Sequence, residues 1–281
     1  MHVHRPAAVA GTFYPGTQER LLHQVDDLLG RAKGSEGALI GNPVVTRAVP
    51  KAMIVPHAGY IYSGPIAARA YARLLPAAPR IRRVVLLGPA HRAYIDGLAL
   101  PEATIFDTPL GRVEIDSEPS LSGPSGSLAR LPGVVQSAAA HAREHSLEVQ
   151  LPFLQRILPD FRLIPFAVGD ARPEIVANVI EALWGGPETV VIVSSDLSHY
   201  LPYEVGRTID QETADRIVEL SPRLIDHDQA CGATPINGLL VVARRRHLRA
   251  ELIDLRSSGD TAGDKSAVVG YGAFAFYEEA A

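Results

Sequence analysis

Residues 53–64 read MIVPHAGYIYSG. With Lys51 and Ala52 before it, the apolar run is too short for a helix and reads as a buried strand, which Pro56 and Gly59 end. His57 then falls at the strand's carboxyl end, where open α/β sheets bind their ligands. One imidazole at such a place is ordinarily a hydrogen-bonded loop residue, so the reading depends on whether other strands end the same way.

Two more do. "RRVVLLGPAHRAY" (82–94) carries an apolar strand into His91, and "ETVVIVSSDLSHY" (188–200) carries another into Asp196 and His199. Between the first two strands, "GPIAARAYARLL" (64–75) reads as a helix with Gly64 as N-cap and Pro65 in its first turn. The strand "FRLIPFAVG" and a helix near "EIVANVIEALW" precede the third. This alternation implies parallel pairing with helices on both faces. Segments 98–116 and 268–277 look like extended pieces with short turns, which makes the sheet mixed. The expected fold is an α/β three-layer sandwich, its mixed, largely parallel central sheet flanked by helices, in a single domain over 1–281. An amphipathic helix (17–34), a Gly-rich linker (34–46) and a Ser/Gly/Pro-rich loop (120–127) complete the reading.

Composition narrows the function classes. A net charge of −4 argues against a general polyanion binder, and no nucleic-acid partner is expected. The one dense basic run, "RRRHLR" (244–249), suits the last turn of a helix, where cations complement the dipole. No stretch approaches the roughly 18 apolar residues of a membrane span, so no membrane partner is expected. The single cysteine, Cys231, rules out an internal disulfide and fits a cytoplasmic location.

If the three strands are parallel neighbours, His57, His91 and His199 open onto one crevice, as a metal or acid/base site requires. Ser194, Ser195, Asp196 and His199 lie too close in one loop to form a hydrolase triad, and no G-x-S-x-G elbow is present. Two neutral imidazoles plus one anionic ligand match the facial sites that leave iron(II) positions open. Asp196 and Cys231 are the candidates for the anion. Thr234 can cap a helix with Pro235 at its first position, placing the Cys231 thiol beside a helix N-terminus that favours thiolate.

The segment "AHAREHSLEVQLPFLQ" (140–155) formally matches the H-x-x-E-H pattern of inverted zincins through His141, Glu144 and His145. Helical periodicity begins only at Glu144, which leaves His141 outside, and Pro152 interrupts the interior. His145 and Glu148, three apart, share a face and can point into the crevice, either anchoring a helix end or supporting the site; His145 is kept among the catalytic candidates.

Taken together, "RPAAVAGTFYPG", "VPHAGYIYSG", "LLGPAHRAY", "FDTPLG", "EHSLEVQLPFLQ", "SSDLSHY", "CGATPI" and "GYGAFAF" resemble, in order and over nearly the whole chain, the motifs of the Memo-like proteins. Bacterial and archaeal members are called the B component of an Amme-Memo-radical-SAM system, and the family is similar in fold to the class III extradiol ring-cleaving dioxygenases. The resemblance implies metal-binding histidines at His57 and His91, a cysteine ligand at Cys231 and an acid/base pair at Asp196 and His199. It also implies Amme-type and radical-SAM partner proteins. Those dioxygenases use two histidines and a carboxylate; a thiolate in the carboxylate's place suits iron or copper redox handling at least as well as ring cleavage.

The expected function is therefore that of a metal-dependent oxidoreductase, with iron(II) as cofactor and copper or zinc as alternatives, acting on a small-molecule or peptide ligand in the crevice. The alternative is a non-catalytic metal-binding or peptide-binding adaptor using the same crevice. A third class, a zinc hydrolase built on His141, Glu144 and His145, would need His141, which the strand-tip site does not.

Overall fold

The computed structural model describes residues 2–37, 48–116 and 128–279. Most of the 34–46 linker and the 120–127 loop thus lie outside the described residues. In chain order the elements are β1 (His4–Arg5), α1 (Gln18–Gly37), β2 (Ala52–Val55), α2 (Tyr60–Ala72), β3 (Arg83–Pro89), β4 (Leu98–Leu100), β5 (Ile105–Thr108), β6 (Gly111–Glu114) and β7 (Val134–Gln136). They continue with α3 (Ala138–Ala142), α4 (His145–Glu148), α5 (Leu151–Ile157), β8 (Arg162–Val168), α6 (Pro173–Ala182), β9 (Thr189–Ser194), β10 (His199–Leu201), α7 (Tyr203–Val218), α8 (Ala233–Arg245), β11 (Arg249–Ser257), α9 (Ser258–Thr261) and β12 (Val268–Tyr277).

The main sheet runs β10-β12-β2-β9-β3-β8-β4-β7, with β11 also paired to β12. Its centre, β2-β9-β3-β8, is parallel, while β12 joins β2 and β4 joins β8 antiparallel. The mixed, largely parallel sheet expected from the alternation is present. A small second sheet, β1-β5-β6, ties the N-terminal residues to the 105–114 hairpin.

Both faces of the central strands are apolar because both are covered. Val84 and Leu86 of β3 join Met53, Val55, Val190 and Ile192 in the core beneath α1, α2 and α5. Their neighbours Val85 and Leu87 join Ile54, Val191 and Val193 in the core beneath α6 and α8. This alternation across the strands is why the segments read as continuous apolar runs.

Two helix starts differ from expectation. α2 begins at Tyr60 rather than at Gly64, so Pro65 lies inside it. The early start is held by tertiary contacts: the Tyr60 N–H donates to Phe13 O (2.8 Å) and its hydroxyl to Val149 O (2.7 Å). α8 begins at Ala233 with Gly232 at its cap, and Thr234 instead meets His227 Nε2 at 3.3 Å. The arginines at its other end are engaged internally. Arg244 donates to the Leu220 and Ser221 carbonyls, Arg245 pairs with Glu181, and Arg246 stacks on Trp184. No helix among the described residues is long and apolar enough to cross a membrane.

Candidate metal centre

Because β2, β9 and β3 are adjacent and parallel, their carboxyl ends lie at one sheet edge. The loops after them carry His57, Asp196 with His199, and His91, and α4 adds His145. The ligand atoms of His57, His91 and His145 all lie within 4.8 Å of one another. The His91 and His145 rings stack at 4.6 Å, and His57 stands edge-on to both at 5.3 and 5.4 Å. His145 thus stands with the two strand-tip histidines, its ring backed by Phe13 at 4.8 Å.

The centre is held by buried polar groups. Glu144, whose side chain is wholly buried, accepts from the His91 N–H (2.6 Å), His91 Nδ1 (2.9 Å) and the Ser146 N–H (2.9 Å). Burial alone would raise this carboxyl; the His91 hydrogen bond and charge and the Ser146 amide outweigh it and bring it down to about 2. His57 has Nδ1 at 2.9 Å from Ser194 Oγ, and its N–H donates to Asp196 Oδ1 (2.7 Å). Burial, followed by the neighbouring charge on His91, lowers His57 to about 3, and burial with the charge on His57 lowers His145 to about 4. Neutral imidazoles are the form that ligates metals.

Cys231 lies just before α8, with Sγ 3.4 Å from His57 Nε2 and 3.6 Å from Asp196 O. The surroundings of this thiol oppose the expected thiolate. Burial and the charge of Asp196 push this thiol up to about 12, against hydrogen bonds from the surrounding backbone. Two glycines permit the close packing behind the centre. A Cβ on Gly232 would sit 2.6 Å from Ser195 Cβ, and one on Gly88 would sit 2.7 Å from Ser146 Oγ.

His199 faces the same edge, near enough for its charge to act on His57 and Asp196. Asp196 and His199, expected as an acid/base pair, are not hydrogen-bonded to each other. His199 Nδ1 instead meets Leu197 O at 2.8 Å, because Asp196 turns inward to the His57 amide. Beyond it, Tyr200 adopts a left-handed backbone (φ 57°) and is exposed. A cleft of about 810 Å³ opens beside the centre, lined by His91, Arg92, Tyr94, Asp170, His227 and Cys231.

The 140–155 segment divides otherwise than a metalloprotease helix would. His141 belongs to α3 and its Nε2–H donates to Ala99 O (2.8 Å), while Glu144 caps the separate α4, so the two histidines share no helix. Glu148 points away from the crevice into a buried ion pair with Arg5 (2.6 Å), and also receives the Ala8 and Val9 amides and the Tyr14 hydroxyl. Pro152 opens α5 rather than breaking a helix. The roles of Glu144, Ser194 and Gln150 escaped the sequence reading. For Glu144 and Gln150 the signal available was a run of polar residues, Glu144, Ser146, Glu148 and Gln150, interleaved with His145, Leu147 and Val149 in a stretch otherwise fit for the core.

Fold and site together define an α/β protein with a candidate three-imidazole metal centre at the carboxyl edge of a parallel sheet. Residues 5–275 match the family described as Memo-like protein. The MEMO1 family protein of Ignicoccus hospitalis is 38% identical over 97% of this chain and 98% of its own length. That of Methanosarcina acetivorans is also 38% identical, over 96% and 97%, and that of Metallosphaera sedula 34%, over 95% and 97%. The chain belongs to the Memo-like family.

Proposed function

We propose that the protein is a cytoplasmic metal-dependent oxidoreductase whose metal is held by His57, His91 and Cys231, with iron(II) as the resident ion and copper and zinc as alternatives. The observation that carries this reading is the approach of the Cys231 thiol to 3.4 Å from His57 Nε2, beside a cluster of imidazoles whose ligand atoms lie within 4.8 Å. The donor set fits a metal: the imidazoles of His57 and His91 and one ionisable thiol, with soft and borderline donors mixed as iron and copper prefer. His145 stands ready beside them as a further nitrogen donor.

A bound ion of this kind would supply redox chemistry and polarisation of a substrate oxygen. The chain's own residues do the rest. His199 gives its Nδ1 proton to Leu197 O, which leaves Nε2 to take or return a substrate proton. Asp196 fixes the His57 backbone and places a carboxyl, raised by burial, within the same enclosure. The cleft beside His91 and Cys231 has room for a small molecule or a peptide side chain. By family resemblance its partners are Amme-type and radical-SAM proteins. The test is anaerobic purification, elemental analysis, and oxygen uptake by the iron and copper forms with a catechol panel. Stoichiometric iron with metal-dependent turnover is expected, and a protein that binds neither ion sinks the reading.

A further inference from the structure

Apart from His145, the segment Glu144–Gln150 has no role in the function proposed above, yet its polar groups converge on the rings of His57 and His91 from behind. Two networks, joined only at the backbone of Ser146, lead there, and each can be read for the direction of its protons. In the first, Tyr71 donates its hydroxyl to Gln150 Oε1 (2.8 Å), which turns the amide so that Nε2 donates to Pro56 O (3.0 Å) and Ser194 Oγ (2.8 Å). Ser194 spends its one hydroxyl proton on Ser146 O. A hydroxyl has a single proton and two lone pairs, so Ser194 can only accept from His57 Nδ1 at 2.9 Å. His57 therefore carries its proton on Nδ1 and presents a bare Nε2.

In the second network the Glu144 carboxylate accepts and never donates. It meets three donors, the His91 N–H, His91 Nδ1 and the Ser146 N–H, and its Oε1 lies 3.5 Å from His145 Nδ1. Nδ1 of His91 therefore carries a proton as well, which in the neutral ring leaves Nε2 bare. All of Glu144, Ser146, Gln150, Ser194 and Tyr71 are buried.

We infer that the Glu144–Gln150 segment is a positioning element that sets the tautomers of His57 and His91 in the metal-free protein, aiming both Nε2 lone pairs into the crevice before any ion arrives. The inference rests on the metal-binding reading for its purpose, while its physical content, the two tautomers, stands apart from it. A merely structural role for the same residues, capping the short α4 and closing the core, would place no demand on which ring nitrogen is protonated. Outer partners that orient histidine ligands ordinarily matter about ten- to a hundredfold in metal affinity.

The test uses the full metal-free chain labelled with nitrogen-15 at histidine, read by long-range proton–nitrogen spectra at alkaline pH, together with zinc titration as a redox-silent probe. Both His57 and His91 should be Nδ1–H tautomers in the natural sequence. Glu144→Gln, whose amide cannot accept from all three donors, should shift His91 toward Nε2–H and leave His57 unchanged; Ser194→Ala should disturb His57 and leave His91 unchanged. Each should weaken zinc roughly ten- to a hundredfold. Finding either histidine as Nε2–H in the natural protein overturns the inference, and this holds even if a variant fails to fold. So does a variant that loses stability or zinc affinity with both tautomers intact. A natural protein with the stated tautomers and no affinity for zinc, iron or copper would sink the metal reading and leave the positioning result standing.

Discussion

The Sγ of Cys231 lies 3.4 Å from Nε2 of His57, a contact between residues 174 positions apart in the chain. In the metal-free protein the thiol keeps its proton, pushed up to about 12 by burial and by Asp196, and can donate it to that nitrogen. A metal must therefore displace this proton to gain the thiolate. Cys231→Ser should weaken iron(II) or copper binding tenfold or more, about 1.4 kcal/mol, because a hard neutral hydroxyl replaces a soft anion. His145→Ala, titrated alongside, separates the two candidate third ligands. A larger loss for His145→Ala than for Cys231→Ser would assign the site to three imidazoles.

His199→Gln should leave metal binding within about twofold of the natural protein while abolishing most turnover, since the proposed function gives its Nε2 the proton transfer and its Nδ1 is held by Leu197 O. Equilibrium metal titration and oxygen uptake measure the two effects separately. Metal loss as large as that of His57→Ala would make His199 a ligand.

Glu148 should be a stability residue. Its carboxylate and Arg5 are 0% and 4% exposed, and it anchors the N-terminal residues that carry Phe13 to His145. Removing one partner of a buried ion pair strands the other charge, so Glu148→Ala should cost about 3–5 kcal/mol in denaturant unfolding. Arg5 alone replaced by Met should do comparable damage. An effect under about 1 kcal/mol would show the pair to be dispensable.

Asp210 makes stability depend on pH. Burial raises its carboxyl from 3.8 to about 6, against the pull of the Ser198 amide, which donates to it at 3.0 Å. The folded chain thus holds this proton more tightly than the unfolded one, and the resulting stability is complete below about pH 3.8 and lost as pH rises through 6. Asp210→Asn keeps an acceptor for Ser198 and removes the charge. It should stabilise the protein by up to about 3 kcal/mol at neutral pH and by nearly nothing near pH 4, as thermal unfolding at the two pH values would reveal. Equal effects at both would refute the assignment.

The architecture was legible because two-sided burial writes itself into β2, β3 and β9 as apolar runs, each followed by a polar loop. His57, His91, Asp196 and His199 could be placed at one edge for that reason alone. Partner choice was not legible. Whether Asp196 meets His199 or the His57 amide depends on side-chain direction across strands that the sequence keeps about 140 residues apart, a separation of 139 in the bond observed. His145 was kept as a catalytic candidate but not as a neighbour of the His57 and His91 rings, because caps and a proline divide its segment into short helices and its periodicity left a helix end and a supporting role equally open. The start of α2 was misplaced because a contact with Phe13, distant in sequence, holds Tyr60, and that of α8 because Gly232 takes the cap position while Thr234 meets His227 instead.

The close packing at Gly88 and Gly232 also sets where this protein can evolve. Any side chain at either position would collide with Ser146 or Ser195 and push the loops that carry the histidines and the thiol off the sheet edge. The back wall is thereby closed to drift. Arg92, Tyr94, Asp170 and His227, exposed along the open side of the cleft, meet no such collision, so side chains there can change while the packing behind the histidines stays in place.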